Sequence, residues 1–130
     1  MNPSKSLIVV TALIFLVYGA LFVLFPIKLL DLVASGAVTS ASGVIDMRAT
    51  YGGMSVAVGF ILLLLAKSAE TIKVGLISIF LLMVCMATGR VVGICVDQNA
   101  NFMMYVYLLL EVIIAVLSAF LLNTQSKLNR

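Results

Sequence analysis

Few residues in this sequence could do chemistry, and most of those lie in apolar surroundings. Arg48, Arg90 and Glu111 each fall within or close to a long hydrophobic run, and Asp46 precedes Arg48 by two positions. Guanidinium and carboxylate groups form ion pairs and bind counter-charges, and a carboxylate can also move a proton. At the centre of a membrane span a charged side chain costs about 2.5–3.5 kcal/mol, and it is tolerated where it pairs, faces other helices or lines a wet cavity. Tyr18 and Tyr51 could add hydroxyls to such a site, whereas Tyr105 and Tyr107 read as aromatic residues of a membrane interface. Histidine is absent, which argues against histidine-ligated zinc or haem, a Ser-His-Asp triad and a Cys-His dyad. The reading is therefore no metal, no cofactor and no catalytic residue, with enzyme activity the lesser alternative.

Cys85 and Cys95 are ten positions apart in one apolar run, about 15 Å along a helix, too far for a disulfide, which needs Cα atoms within about 7 Å. Both are read as small buried hydrophobes, and the methionines as packing residues.

The elements that must hold these residues follow from composition. Hydrophobic residues make up 64% of the 130 and charged ones 10%, against about 25% charged in a soluble domain. Mean hydropathy is +1.28. A soluble globular domain, a disordered tail and a disulfide scaffold are excluded. The net charge of +3 comes from dispersed lysines and arginines without a basic run, which argues against nucleic acid as a partner. A span takes about 20 apolar residues, and four fit: 6–25, 44–66, 74–96 and 102–122. The first is too long for a signal-peptide core and no A-x-A-like cleavage site follows it, so it reads as an uncleaved span. Between spans one and two, residues 27–34 have helical apolar spacing with Lys28 and Asp31 three apart, the pattern of a short interfacial helix. Short connections make neighbouring spans antiparallel. The expected fold is all-α: a single membrane domain over residues 1–130, an up-down bundle of four transmembrane helices.

Lys5, Lys67, Lys73, Lys127 and Arg130 fall on one side of this layout, and Lys28 with Arg48 on the other. The positive-inside rule then puts both termini in the cytoplasm. Arg48 is about one turn inside span two, Arg90 roughly 9 Å below the outer end of span three, and Glu111 roughly 13 Å below that of span four. Arg90 and Glu111 differ in depth by about 4 Å, within reach of an arginine, so the two are expected to pair or share a network. Asp46, Arg48, Tyr51, Arg90, Glu111 and Tyr18 form the candidate polar cluster. Gly52, Gly53, Gly89 and Gly93 flank the charges as close-packing glycines, the last two in a G-x-x-x-G pattern.

Asp46-x-Arg48-Ala49-Thr50-Tyr51-Gly52-Gly53, followed in order by Gly89-Arg90-x-x-Gly93 and Glu111, resembles a family of small bacterial four-pass membrane proteins, the domain of unknown function 4345. The resemblance covers residues 7–122 and implies this membrane layout and a bacterial inner membrane location. It supplies no substrate, cofactor or site residue.

The functional expectation is a binding module whose polar pocket, in the outer half of the bilayer, takes a small amphipathic or anionic ligand. A polar clamp that fixes helix register and binds nothing, an accessory subunit of a larger membrane complex, and an enzyme on a lipid-soluble substrate are the alternatives. Partners are the lipid bilayer and, beyond it, a homo-oligomer or another membrane protein.

Overall fold

A computed structural model describes residues 2–128, and Arg130 of the orientation argument lies outside them. The described chain is helical, with no strand. Four helices are long and apolar enough to cross a membrane: α1 (Pro3–Leu24), α3 (Ala41–Leu65), α4 (Ile72–Asp97) and α5 (Phe102–Leu128). A short α2 (Pro26–Ala34) follows the first. The chain divides into two compact units, Val9–Leu64, and Met1–Ile8 with Leu65–Arg130.

In the Val9–Leu64 unit, α1 ends because Pro26 has no N–H for the next helical bond and pushes Phe25 out of the helical region, to φ −130° and ψ 51°. Pro26 then serves as the first residue of α2, where a missing donor does no harm. Pro26 and Val33 of α2 are buried; Lys28 and Asp31 are exposed, with exposed Ile27 and Leu32 on either side. A polar stripe flanked by open apolar side chains is the form that suits a membrane–water boundary.

Helix α3 begins three residues earlier than hydropathy indicated. The Ser40 hydroxyl accepts a hydrogen bond from the Gly43 N–H at 3.1 Å, and this N-cap starts the helix within the small-residue stretch. At Arg48–Gly53 the helix widens into a single π segment. Two features favour widening there: the Thr50 hydroxyl donates to the Asp46 carbonyl at 2.7 Å, and two successive glycines bind the backbone weakly to α-helical geometry. Below it α3 runs antiparallel to α1, with Gly52 beside Val23, Gly19 beside Gly52 and Val56, and Gly59 beside Ala12 and Leu16.

In the other unit, α4 and α5 form an antiparallel hairpin. Arg90 meets Glu111 towards the connecting loop, and further along the buried Ser118 hydroxyl donates to the Leu76 carbonyl at 3.1 Å. The loop is four residues long, and Gln98 and Asn99 turn it with φ of 55° and 53°. Ile8 packs over Gly75, where a Cβ would come within 2.7 Å of its Cδ1. Helix α5 continues past residue 122 into the polar tail; the Thr124 hydroxyl donates to the Phe120 carbonyl. Loss of hydropathy at Asn123 marks where a membrane span would end, not where the helix does. Cys85 and Cys95 are free and exposed, so their reading as buried hydrophobes is corrected: they face outward from the chain.

Candidate functional site

Arg90 and Glu111 pair, as their depths predicted. Arg90 Nη2 donates to Glu111 Oε1 at 2.6 Å, and Nε lies 3.2 and 3.1 Å from Oε1 and Oε2. The guanidinium edge thus meets the carboxylate in the forked geometry that gives such pairs their strength and direction. Glu111 is buried, and the Arg90 side chain keeps 20% of its exposure. On the far edge of the guanidinium, Nη1 lies 3.2 Å from the Met104 sulfur, and its plane sits over the Tyr107 ring at 5.2 Å. Ring and sulfur give the cation polarisable neighbours.

Sequence reasoning missed both of these neighbours. Hydropathy puts Tyr107 in the interfacial belt and Met104 in general packing, yet they lie four and seven residues before Glu111 and share its helix face. That i−4 and i−7 spacing was the available signal. The arrangement of Arg90 does not resemble an acid–base site, because the Glu111 carboxylate is occupied on both oxygens by a permanent cation.

The other predicted site residues belong to the Val9–Leu64 unit. Arg48 is exposed at the start of the π segment, and its Nη1 donates to the carbonyl of Val23. Carbonyls in the last turn of a helix lack intrahelical donors, and the negative end of the helix dipole favours a cation there. Arg48 therefore caps α1 at the point where Pro26 stops it. Asp46 is exposed and forms no ion pair with Arg48; its backbone carbonyl, not its carboxylate, takes part in the local structure. Tyr18 and Tyr51 flank Phe22, with ring centroids 4.8 and 5.5 Å away. Tyr51 is half exposed and its contact is this stack, not a hydrogen bond to a charged group.

The glycine assignment needs correction at three of four positions. Gly52 is a close-packing glycine: a Cβ there would come within 2.6 Å of Val23 Cγ2 and 2.9 Å of its backbone nitrogen. At Gly89 a Cβ would meet nothing within 4 Å, at Gly93 only the Asp97 carboxylate at 3.6 Å, and at Gly53 only the Arg48 carbonyl of its own helix at 3.8 Å. The G-x-x-x-G pattern of α4 is not used for contact within the chain, because its glycines face away from the packed side of the hairpin. The glycines at which another helix comes close are Gly19, Gly52, Gly59 and Gly75.

The model of the domain of unknown function DUF4345 matches residues 4–122. The chain belongs to this family. The match takes in both arginine sites and most of each of the four long helices. No curated protein and no solved structure matches the chain, so the geometry is what bears on function for this member of the DUF4345 family.

Proposed function

We propose that the protein is a non-catalytic binding module of the bacterial inner membrane, with both termini in the cytoplasm, that holds a small amphipathic anion in the outer half of the bilayer. Arg48 is the residue that would contact the anion. The observation that carries this reading is the contrast between the two arginines. Arg90 is engaged on both edges and one face by Glu111, Met104 and Tyr107. Arg48 is exposed and gives one N–H to Val23, and among the described residues its Nε and Nη2 have no acceptor. A planar guanidinium with a free edge suits a phosphate or carboxylate. Helix α2 begins three residues after Val23, and the exposed Phe25 just before it, with Ile27 and Leu32 on it, offers the apolar part of such a molecule a surface. The orientation rests on the lysine and arginine asymmetry of the connections.

The test is thermal stability of purified protein across phosphatidylglycerol, phosphatidylethanolamine, fatty acid and soluble phosphate. An anionic ligand should raise the midpoint of wild type and not that of Arg48→Gln. An equal response in the two proteins, or none in either, refutes the proposal.

A further inference from the structure

Beside Arg48 stands an aromatic ring that the anion itself does not use. Tyr51 follows Arg48 by three residues in the same π segment, so no more than about 5 Å of helix axis separates cation and ring. Both are tied to consecutive residues of α1. Arg48 Nη1 donates to the Val23 carbonyl, and the Tyr51 ring lies on Phe22 with centroids 5.5 Å apart and planes at 28°. Tyr51 is nevertheless half exposed. We propose that Tyr51 determines which anion this site takes, and that its ligand is an arene carboxylate, an acid whose carboxylate is joined directly to a planar aromatic ring. The proposal rests on the anion reading above and names what the anionic group is attached to.

The Tyr51 ring is held in place before a ligand arrives. Phe22 beneath it is fully buried, and Tyr18, one turn earlier on α1, packs against Phe22 with centroids 4.8 Å apart. Gly52, next to Tyr51, seats α3 closely on α1: a Cβ there would come within 2.6 Å of Val23 Cγ2. The stack is thus backed by a buried ring and flanked by a close helix contact. A tyrosine of an interfacial belt needs only lipid around it; this one is fixed flat beside a guanidinium. A wall that is already ordered costs little conformational entropy on binding.

The group that follows the charge decides among anions. In a phospholipid the phosphate is followed by glycerol and its esters, polar groups that an aromatic face does not satisfy. In a fatty acid the carboxylate is followed by flexible methylenes, which lose rotamer freedom when they settle on a ring. An arene carboxylate puts a flat, rigid ring at that level. Its two oxygens meet the Nε and Nη2 edge of Arg48, which has no acceptor among the described residues. Its ring then takes the offset-stacked arrangement on Tyr51 that aromatic pairs prefer, worth about 3- to 10-fold in affinity beyond the area it buries.

The experiment compares two acids on the full chain in mixed micelles at neutral pH. Para-octylbenzoate and its ring-saturated counterpart, octylcyclohexanecarboxylate, carry the same charge and tail and differ in whether the ring is flat and aromatic. Isothermal titration calorimetry, with partition into empty micelles subtracted, reads the affinities. Wild type should prefer the arene acid by about 3- to 10-fold. Tyr51→Phe should keep that preference, Tyr51→Leu should bring the two acids to parity without weakening the saturated one, and Arg48→Gln should bind neither. Equal affinities in wild type, or a preference that persists in Tyr51→Leu, overturn the proposal; the wild-type comparison decides by itself if Tyr51→Leu does not fold. Equal binding of both acids that is lost in Arg48→Gln leaves the anion reading standing without this one. Binding of neither acid, or unchanged binding in Arg48→Gln, removes both.

Discussion

Removing one partner of the Arg90–Glu111 pair should destabilise the protein far more than removing both. Glu111→Leu removes the three N–H···O contacts that Arg90 makes to the carboxylate. Breaking a buried pair by removing one partner costs about 3–5 kcal/mol. The 20% residual exposure of Arg90 lets its head relax outward, so the lower end, about 3 kcal/mol, is expected. Arg90→Met, which strands Glu111 instead, falls in the same range. The double variant puts two apolar side chains of similar volume in contact, and such replacements of buried pairs are often neutral or stabilising. With about 3 kcal/mol lost in each single variant and a double variant near neutral, the double-mutant cycle should give a coupling of about 6 kcal/mol. Reversible unfolding in mixed micelles, followed by helical circular dichroism as the fraction of denaturing detergent is raised, measures all four proteins. Single-variant losses below about 1 kcal/mol, or a double variant equal to the sum of the singles, would show that the pair does not hold the hairpin in register.

Gly19→Ala and Gly89→Ala should move stability in opposite directions. A Cβ at Gly19 would lie 2.7 Å from the Gly52 carbonyl oxygen and the Val56 backbone nitrogen, and overpacking against backbone costs about 1–3 kcal/mol; at Gly89 the site is open, and alanine should gain about 0.5–1 kcal/mol from helix propensity. Thermal midpoints of the two variants check this. Tyr107→Leu should lose about 0.5–2 kcal/mol of cation–π attraction to Arg90 while Tyr107→Phe keeps most of it, as read by the same unfolding assay. Arg48→Met removes the donor to the Val23 carbonyl and should cost about 1 kcal/mol, with faster hydrogen exchange at the Leu24 and Phe25 amides. Reporter fusions at either end should be active only as cytoplasmic reporters, since lysines gather on the side of both termini.

Hydropathy made the four long helices legible because each carries an apolar run longer than a bilayer requires. It placed α2 as well, since Pro26 and the Lys28–Asp31 spacing are local signals. It misplaced the start of α3 and the end of α5: a serine cap begins one inside a polar stretch, and the other continues into a polar tail. Depth alone brought Arg90 and Glu111 together, because two opposite charges at one level in hydrocarbon have strong reason to meet. Depth could not give azimuth. Arg48 lies at a level that suggested a shared cluster, and its nearest acceptor turned out to be the end of a neighbouring helix. The glycines fail for the same reason. A spacing of four on α4 looks like a contact motif, but which side of the helix meets a neighbour is decided by the fold; Gly19 and Gly75 have no partner glycine nearby in sequence to announce them.

The widened turn at Arg48–Gly53 works as a phase correction. In a uniform α-helix each residue advances the direction of its side chain by about 100°, so a helix that must aim a cation at one target and glycines at another has no free adjustment. Deleting one residue between Arg48 and Gly52 would rewind the segment and swing Arg48 away from the Val23 carbonyl, while Gly52 and Gly59 stayed seated against α1. One surplus residue thus uncouples the Arg48 end of α3 from the stave that packs on α1.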